Sequence, residues 1–376
     1  MHEPTSWATF AGRRASRAVD CVDLLAHPEA LDSGLWFVVL DFEAPLGDDG
    51  TTRDDGRARA WRFADVGPGP TPEADAPAWH GPAPSEWTSS LDREAYVDAV
   101  GQVRERVRRG DVYQVNVCRV LAAPLPAVRE AGCVVEPDAA ALAARLAAGN
   151  PAPYAAAVHV PAASGLDPVW VVSASPELYL SIDVAAADGA ASIASGPIKG
   201  TARTPSGLTA KDRAENVMIT DLVRNDLQRV CRPGTVEVTE LLAVEEHPGL
   251  VHLVSRVRGE LLDGDAPGRW ARALEATFPP GSVSGAPKSS ALRLIAEVEP
   301  TARGPYCGAV GWVDGDTGRA ELAVGIRTFW WEDAGDGGVL RFGTGAGITW
   351  GSDPEREWDE TELKADRLVG LASTVR

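Results

Sequence analysis

Apolar and polar positions along the 376 residues change period repeatedly, and the changes lay out an alternation of strands and helices. Leu35-Trp36-Phe37-Val38-Val39-Leu40 is a continuous apolar run of strand length. Leu91 to Arg109 has apolar residues at 96, 97, 100, 103 and 107, the spacing of an amphipathic helix, and Gly110-Asp111 ends it. Val112 to Cys118 alternates as a strand does, which puts Gln114 and Asn116 on one face, either the solvated side of a sheet or the wall of a cavity. An Ala-rich helix over about 138–148 leads through Asn150-Pro151-Ala152-Pro153-Tyr154 into another strand. From Ser173 to Thr201 the pattern is that of a β-hairpin: a strand ending at 178–182, a small-residue turn around Asp188-Gly189, and a return through Ser195 to Thr201. Leu208 to Gln228 reads as a long helix with apolar positions at 214, 217, 218, 222 and 227, and Asp212 and Glu215, three apart, share one of its faces. Strands at 235–244 and 250–261 follow, then a helix at 268–277. The Gly-rich turn Pro279 to Lys288 opens a helix to about 297, with hairpin strands at 306–313, 319–330 and 338–343. Gly343-Thr344-Gly345-Ala346-Gly347 reads as a glycine loop with N–H groups free to cradle an anion. Ser352-Asp353-Pro354 then starts a last helix, on which Glu357, Glu360 and Lys364 fall on one face.

Residues 1–90 carry fewer signals: an acidic Gly-rich stretch at 47–56 and, from Asp65 to Ser90, an irregular connection rich in Pro, Ala and Trp. Hydrophobic residues make up 44% and charged residues 24%, ordinary for a globular protein with a sizeable core. No apolar run reaches the length of a membrane span, and the N-terminus lacks the apolar core of a signal peptide, so a cytoplasmic protein is expected. The net charge of −18 argues against a nucleic-acid partner. The five cysteines (21, 118, 133, 231 and 307) show no CxxC, which points to reduced structural thiols and away from zinc.

Two clusters carry candidate chemistry. Lys199 stands between Ile198 and Gly200, either a solvated strand-end amine or a nucleophile whose pKa burial would lower, and Glu177 lies at the other root of the hairpin. The pairs Asp212/Glu215 and Glu357/Glu360 are either solvated helix faces or an all-oxygen site for Mg²⁺ bridging to an anionic substrate.

Six ordered blocks, GDVYQVN, SASPE, PIKGT, DRAENVMITDLVRNDL, PGSVSGAPK and GTGAGITWGSDPEREWDETELKA, make the chain resemble the chorismate-utilising enzymes, anthranilate synthase component I among them. The resemblance implies an α+β fold of two packed antiparallel β-sheets flanked by helices, with 91–376 as the chorismate-binding catalytic domain and 1–90 as a divergent N-terminal part of the same fold. It implies Mg²⁺ on Glu215 and Glu360, with Asp212 and Glu357 nearby or bound through water. Glu177 resembles the general acid that protonates the departing hydroxyl, and His252 a substrate-proximal histidine. Tyr306, Arg327, Lys364 and the N–H groups of Gly345 and Gly347 are similar to the groups that hold the substrate's carboxylates. Gln114, Gly200, Thr201 and Ser284, in matching blocks, are placed beside the substrate.

Within the family, enzymes that add water resemble one another in having a lysine base where this chain has Gln114, and a neutral amide cannot deprotonate water. Anthranilate synthases commonly read PIAGT, whereas PIKGT resembles aminodeoxychorismate synthase component I, in which the lysine attacks the ring before ammonia adds. The leading expectation is therefore formation of 4-amino-4-deoxychorismate, for 4-aminobenzoate and folate or for secondary metabolism, with Lys199 as nucleophile. Anthranilate or 2-amino-2-deoxyisochorismate formation comes second, and a non-catalytic chorismate-binding subunit stands as the alternative of another kind. No glutaminase signature is present, so a separate glutamine amidotransferase is expected to supply ammonia.

Overall fold

A computed structural model describes residues 6–47, 56–69, 78–130, 133–185, 190–247, 250–262, 264, 266–333 and 337–374. The turn expected at Asp188-Gly189 and most of the acidic stretch 47–56 lie outside those residues.

In chain order the elements are β1 (Trp7–Phe10), β2 (Arg13–Asp23), β3 (Leu35–Leu40), β4 (Ala58–Pro68), β5 (Thr88–Ser89), α1 (Arg93–Arg109), β6 (Gln114–Pro124), β7 (Val128–Glu130), β8 (Cys133–Val135), α2 (Ala139–Gly149), β9 (Tyr154–Val160), β10 (Val169–Ser175), β11 (Leu178–Val184), β12 (Ala191–Gly196), β13 (Ile198–Ala202), α3 (Ala210–Gln228), β14 (Glu237–His247), β15 (Leu250–Glu260), α4 (Arg269–Thr277), β16 (Gly285–Ala286), α5 (Lys288–Val298), β17 (Ala309–Asp314), β18 (Arg319–Val324), β19 (Thr328–Asp333), β20 (Gly338–Ile348) and α6 (Pro354–Ala372). Apart from the small β7–β8 hairpin, the strands join in one antiparallel ribbon with two arms. The first runs β6–β20–β19–β10–β9–β1–β2. The second runs β4–β3–β17–β18–β11–β12–β15–β14, and β2 pairs with β4 where the arms meet. The fold is α+β, as expected, and its two sheet layers are the arms of this ribbon. Strands β1 to β4 form the joint between them.

The main core takes Val115 and Val117 from β6 and Val310, Leu322 and Ile193 from the second arm, so the arms bury their apolar faces in one cluster. On the outer side of the first arm, Leu142 of α2 and Leu368 of α6 pack with Phe329 and Phe342. Helix ends follow the sequence signals: Asp92 accepts the Ala95 N–H and Gly110 closes α1 at φ +82°, while Asp353 accepts the Arg356 N–H ahead of Pro354. No helix is long and apolar enough to cross a membrane among the described residues.

Three expectations need correction. The buried face of α3 is Asn216, Ile219, Thr220, Val223, Asp226 and Leu227, while Val217 is exposed. Apolar spacing failed there because the helix docks on β15 through polar bonds: Asn216 donates to the Leu253 carbonyl and accepts from the Ser255 hydroxyl. The stretch 319–330 is two strands, broken at Gly325-Ile326-Arg327, where Arg327 sits at φ +53°. Gly343–Gly347 is not a loop but the end of β20, paired with β6 through Ile348↔Val115.

Candidate active site

The hairpin places Lys199 through a bulge. Ile198 faces Val254 and Thr201 faces His252, three positions against two, so one extra residue is accommodated in β13, with Gly200 at φ +95°. A Cβ at Gly200 would also meet Asp212 at 2.8 Å. The bulge re-aims Lys199 so that its charge acts on three carboxyls: it opposes the burial that raises the pKa of Glu177 and Glu215, and it adds to the Lys364 charge that lowers that of Glu360. Lys199 and Gln114 converge over Gly347, where a Cβ would lie 3.3 Å from the lysine Nζ and 2.6 Å from the Gln114 amide nitrogen. Gln114 is therefore a buried wall residue, and its side-chain oxygen has no hydrogen-bond partner.

Glu177, 3% exposed, accepts hydrogen bonds from the Ser282 hydroxyl and the Ile198 N–H. Burial outweighs these and the charges of Lys199 and Arg327, raising its pKa to about 7. Arg327 approaches from the strand break, its Nη2 3.4 Å from Nε2 of buried His252, and burial brings the guanidinium down to about 10 against the pull of Glu177. A non-glycine residue held at positive φ beside these groups is backbone strain at the site.

Carboxylates from two helices face one another next to Lys199. Lys211 Nζ of α3 lies 2.8 Å from Glu357 and 3.6 Å from Glu215, and Lys364 Nζ lies 2.6 Å from Glu360. Burial raises the pKa of Glu215, and the Lys364 charge lowers that of Glu360. Arg119 seats α6 by donating to Thr361 and Glu362 and stacking on Trp358. Asp212 is turned away to cap α3, taking the N–H and hydroxyl of Thr209 at 2.7 Å each. Glu215, Glu357 and Glu360 offer only oxygen, and Glu215 Oε1 is buried without a hydrogen bond, which suits a hard divalent cation. As they stand, no three acidic, His or Cys side chains form a metal-holding group among the described residues; Lys211 and Lys364 neutralise them instead.

The glycines of β20 serve the site although they form no loop. The Cys118 N–H goes to Glu299 and the Asn116 N–H to the Ser284 carbonyl. Their partners Gly345 and Gly347 therefore occupy non-hydrogen-bonded positions of the ladder, with their amides pointing to the opposite edge, which β19 covers only as far as Phe342. On that edge Lys364 reaches the Gly345 carbonyl at 3.0 Å. Bare Cα atoms also let neighbours close in: a Cβ at Gly345 would sit 2.6 Å from both the Val117 carbonyl and Cys118 Sγ. Gly345→Ala is accordingly expected to cost about 1–3 kcal/mol, read as a lower denaturant midpoint at unchanged slope.

Three residues make other contacts. The Tyr306 ring packs on the bare Cα of Gly343, on the face of β20 that Gly345 and Gly347 share, its hydroxyl lies 3.7 Å from Cys118 Sγ in a buried cluster with Arg303, and burial raises its pKa strongly. Ser284 spends its hydroxyl on the Pro280 carbonyl. For Thr201 only the backbone is described, opposite His252. Two contributors went unseen in the sequence: Ser282, masked by its neighbour Ser284, and Lys211, whose spacing of four from Glu215 was the available signal.

Residues 46–370 match the family described as chorismate binding enzyme. Anthranilate synthase component 1 of Haloarcula marismortui is 38% identical over 301 residues, covering 75% of this chain and 54% of that protein. The Streptomyces coelicolor anthranilate synthase component 1 is 38% identical over 309 residues, covering 79% and 54%. The chain thus spans about half the length of these curated relatives. Anthranilate synthase component I from Streptococcus pneumoniae superposes with a TM-score of 0.70 at 22% identity, over 98% of this chain and 90% of that one. The match over residues 46–370, most of this chain, establishes that it belongs to the chorismate binding enzyme family.

Proposed function

We propose that the chain converts chorismate and ammonia to anthranilate, the ring hydroxyl leaving as water and the enolpyruvyl side chain as pyruvate, and works with a separate glutamine amidotransferase that supplies the ammonia. The relatives favour this reading over 4-amino-4-deoxychorismate, which the PIKGT block had placed first. The observation that carries ammonia addition is the convergence of an acid, Glu177, a neutral amide, Gln114, and the carboxylates Glu215 and Glu360 around Lys199. Arg327, Lys364 and the outward amides of Gly345 and Gly347 bind the substrate's carboxylates. Glu177 gives its proton to the departing hydroxyl. Gln114 has no basic site with which to activate water, so the ring is left to a nucleophile that needs no base. Glu215 and Glu360, with Glu357 behind them, would hold Mg²⁺, which when bound would grip the ring carboxylate and favour loss of the hydroxyl. Lys199 is in this reading a fixed cation among the acids.

One observation favours a second reading: the Lys199 amine faces Gln114 across the cleft floor, where it can attack the ring as the nucleophile of an aminodeoxychorismate synthase. Incubation with chorismate, Mg²⁺ and ammonium, with products identified by mass and fluorescence, separates the two. Anthranilate, still formed by Lys199→Ala, is expected. Formation of 4-amino-4-deoxychorismate that Lys199→Ala abolishes would establish the second reading, and no turnover under any ammonia supply would sink both.

A further inference from the structure

Beside Glu177 lies a cavity of about 20 Å³ whose polar lining is Glu177, Tyr179, Ser195, Asp226, Thr277 and Ser282. That volume holds one water molecule, and the lining offers it more than two polar partners. Asp226 on α3 is ion-paired with Lys288 Nζ at 2.9 Å, and Lys288, which also donates to the Thr277 carbonyl, keeps 14% of its side chain exposed. The cavity therefore separates a buried acid from an ion pair in touch with solvent.

We propose that this cavity recharges Glu177: a water held in it, oriented by Asp226, returns to the carboxylate the proton lost in each turnover. The inference rests on the reading of Glu177 as the general acid. When the ring C–O bond breaks, the Glu177 proton leaves with the hydroxyl as water. The Glu177 carboxylate then takes a proton from the cavity water, which regains one from solvent through the Asp226–Lys288 pair. Glu177 is faced by Lys199, Arg327, Ser282 and the Ile198 N–H, and Asp226 by Lys288 and Tyr179; of these, Ser282, Asp226 and Tyr179 line the cavity, and the Tyr179 hydroxyl is bonded to Thr277. Asp226 is a positioning residue, because it acts on Glu177 only through the water.

Recharging is needed from the second turnover onward, and that separates it from a structural role. With enzyme in excess over chorismate, Mg²⁺ and ammonium present, Asp226→Asn is expected to complete its first turnover within about twofold of wild type. In steady state it should run about tenfold slower, with a larger solvent deuterium isotope effect. Ser195→Thr, which adds one methyl group to the cavity and keeps the hydroxyl, should behave the same way and covers the case in which Asp226→Asn does not fold. Equal slowing of both phases, or no slowing in either variant, overturns the recharging path. An undiminished first turnover in Glu177→Gln would instead overturn the acid itself, so the two failures are distinguishable.

Discussion

Glu177→Gln is expected to lower turnover of chorismate by about 10²–10⁴, with substrate binding largely kept, because the amide fills the same space but has no acidic proton to give. The group is suited to the task by where the chain puts it. Burial among β11, β13 and the 280–284 turn raises its pKa to about 7, against the Ser282 hydroxyl, the Lys199 charge, the Ile198 N–H and Arg327. The protonated form is the working one, so kcat/KM should fall as pH rises through about 7, and the Gln variant should lose that limb. Stability follows the same titration. A carboxyl raised from 4.5 to about 7 holds a proton in the folded state that the unfolded chain has released. Its contribution is full below about 4.5 and lost as pH climbs to about 7. Denaturant midpoints should therefore shift in favour of Glu177→Gln across that window, and a constant difference between the two proteins would show that the carboxyl titrates normally.

Arg303→Met is expected to be the most damaging change for stability, at about 3–5 kcal/mol. Arg303 is fully buried over the Phe42 ring, with its guanidinium on Glu299 at 2.6 and 2.8 Å and on the carbonyls of Val283 and Asn116 at 2.8 Å each. Its own N–H goes to Glu43. Methionine replaces the volume of the stem and none of the donors, so the buried Glu299 carboxylate loses its guanidinium partner. Urea titration measures the loss, and Arg303→Met/Glu299→Gln should recover part of it, since the second change removes the stranded charge. A loss below about 1 kcal/mol would mean the pair contributes little.

Where one physical effect dominated, the sequence was readable. The apolar stripe and caps of α1, the apolar run of β3 and the Asp353-Pro354 start of α6 each specify their element alone. Lys199, Glu177, Glu215, Glu357 and Glu360 were also legible, through motif blocks that the fold brings to one cleft. α3 was legible as a helix but not in phase, because it docks through Asn216 and Asp226, which periodicity counts as solvent-facing. The β20 glycines misled for the opposite reason. Glycine in a strand looks like a turn signal, yet here the missing side chains make room for Cys118, Gln114 and Lys199. The contact of the Tyr306 hydroxyl with Cys118 was not legible, since it joins residues 188 apart in the chain.

The joint between the two arms has a bearing on inheritance of function. Each recognisable chemical group lies beyond Leu91, yet β9 on one arm and β17 on the other each have a flank covered by β1 or β3, from the first 40 residues. Divergence in that early stretch is thus bounded by backbone geometry, free to change its letters but obliged to go on lending hydrogen-bonding edges to strands that carry no catalytic group themselves.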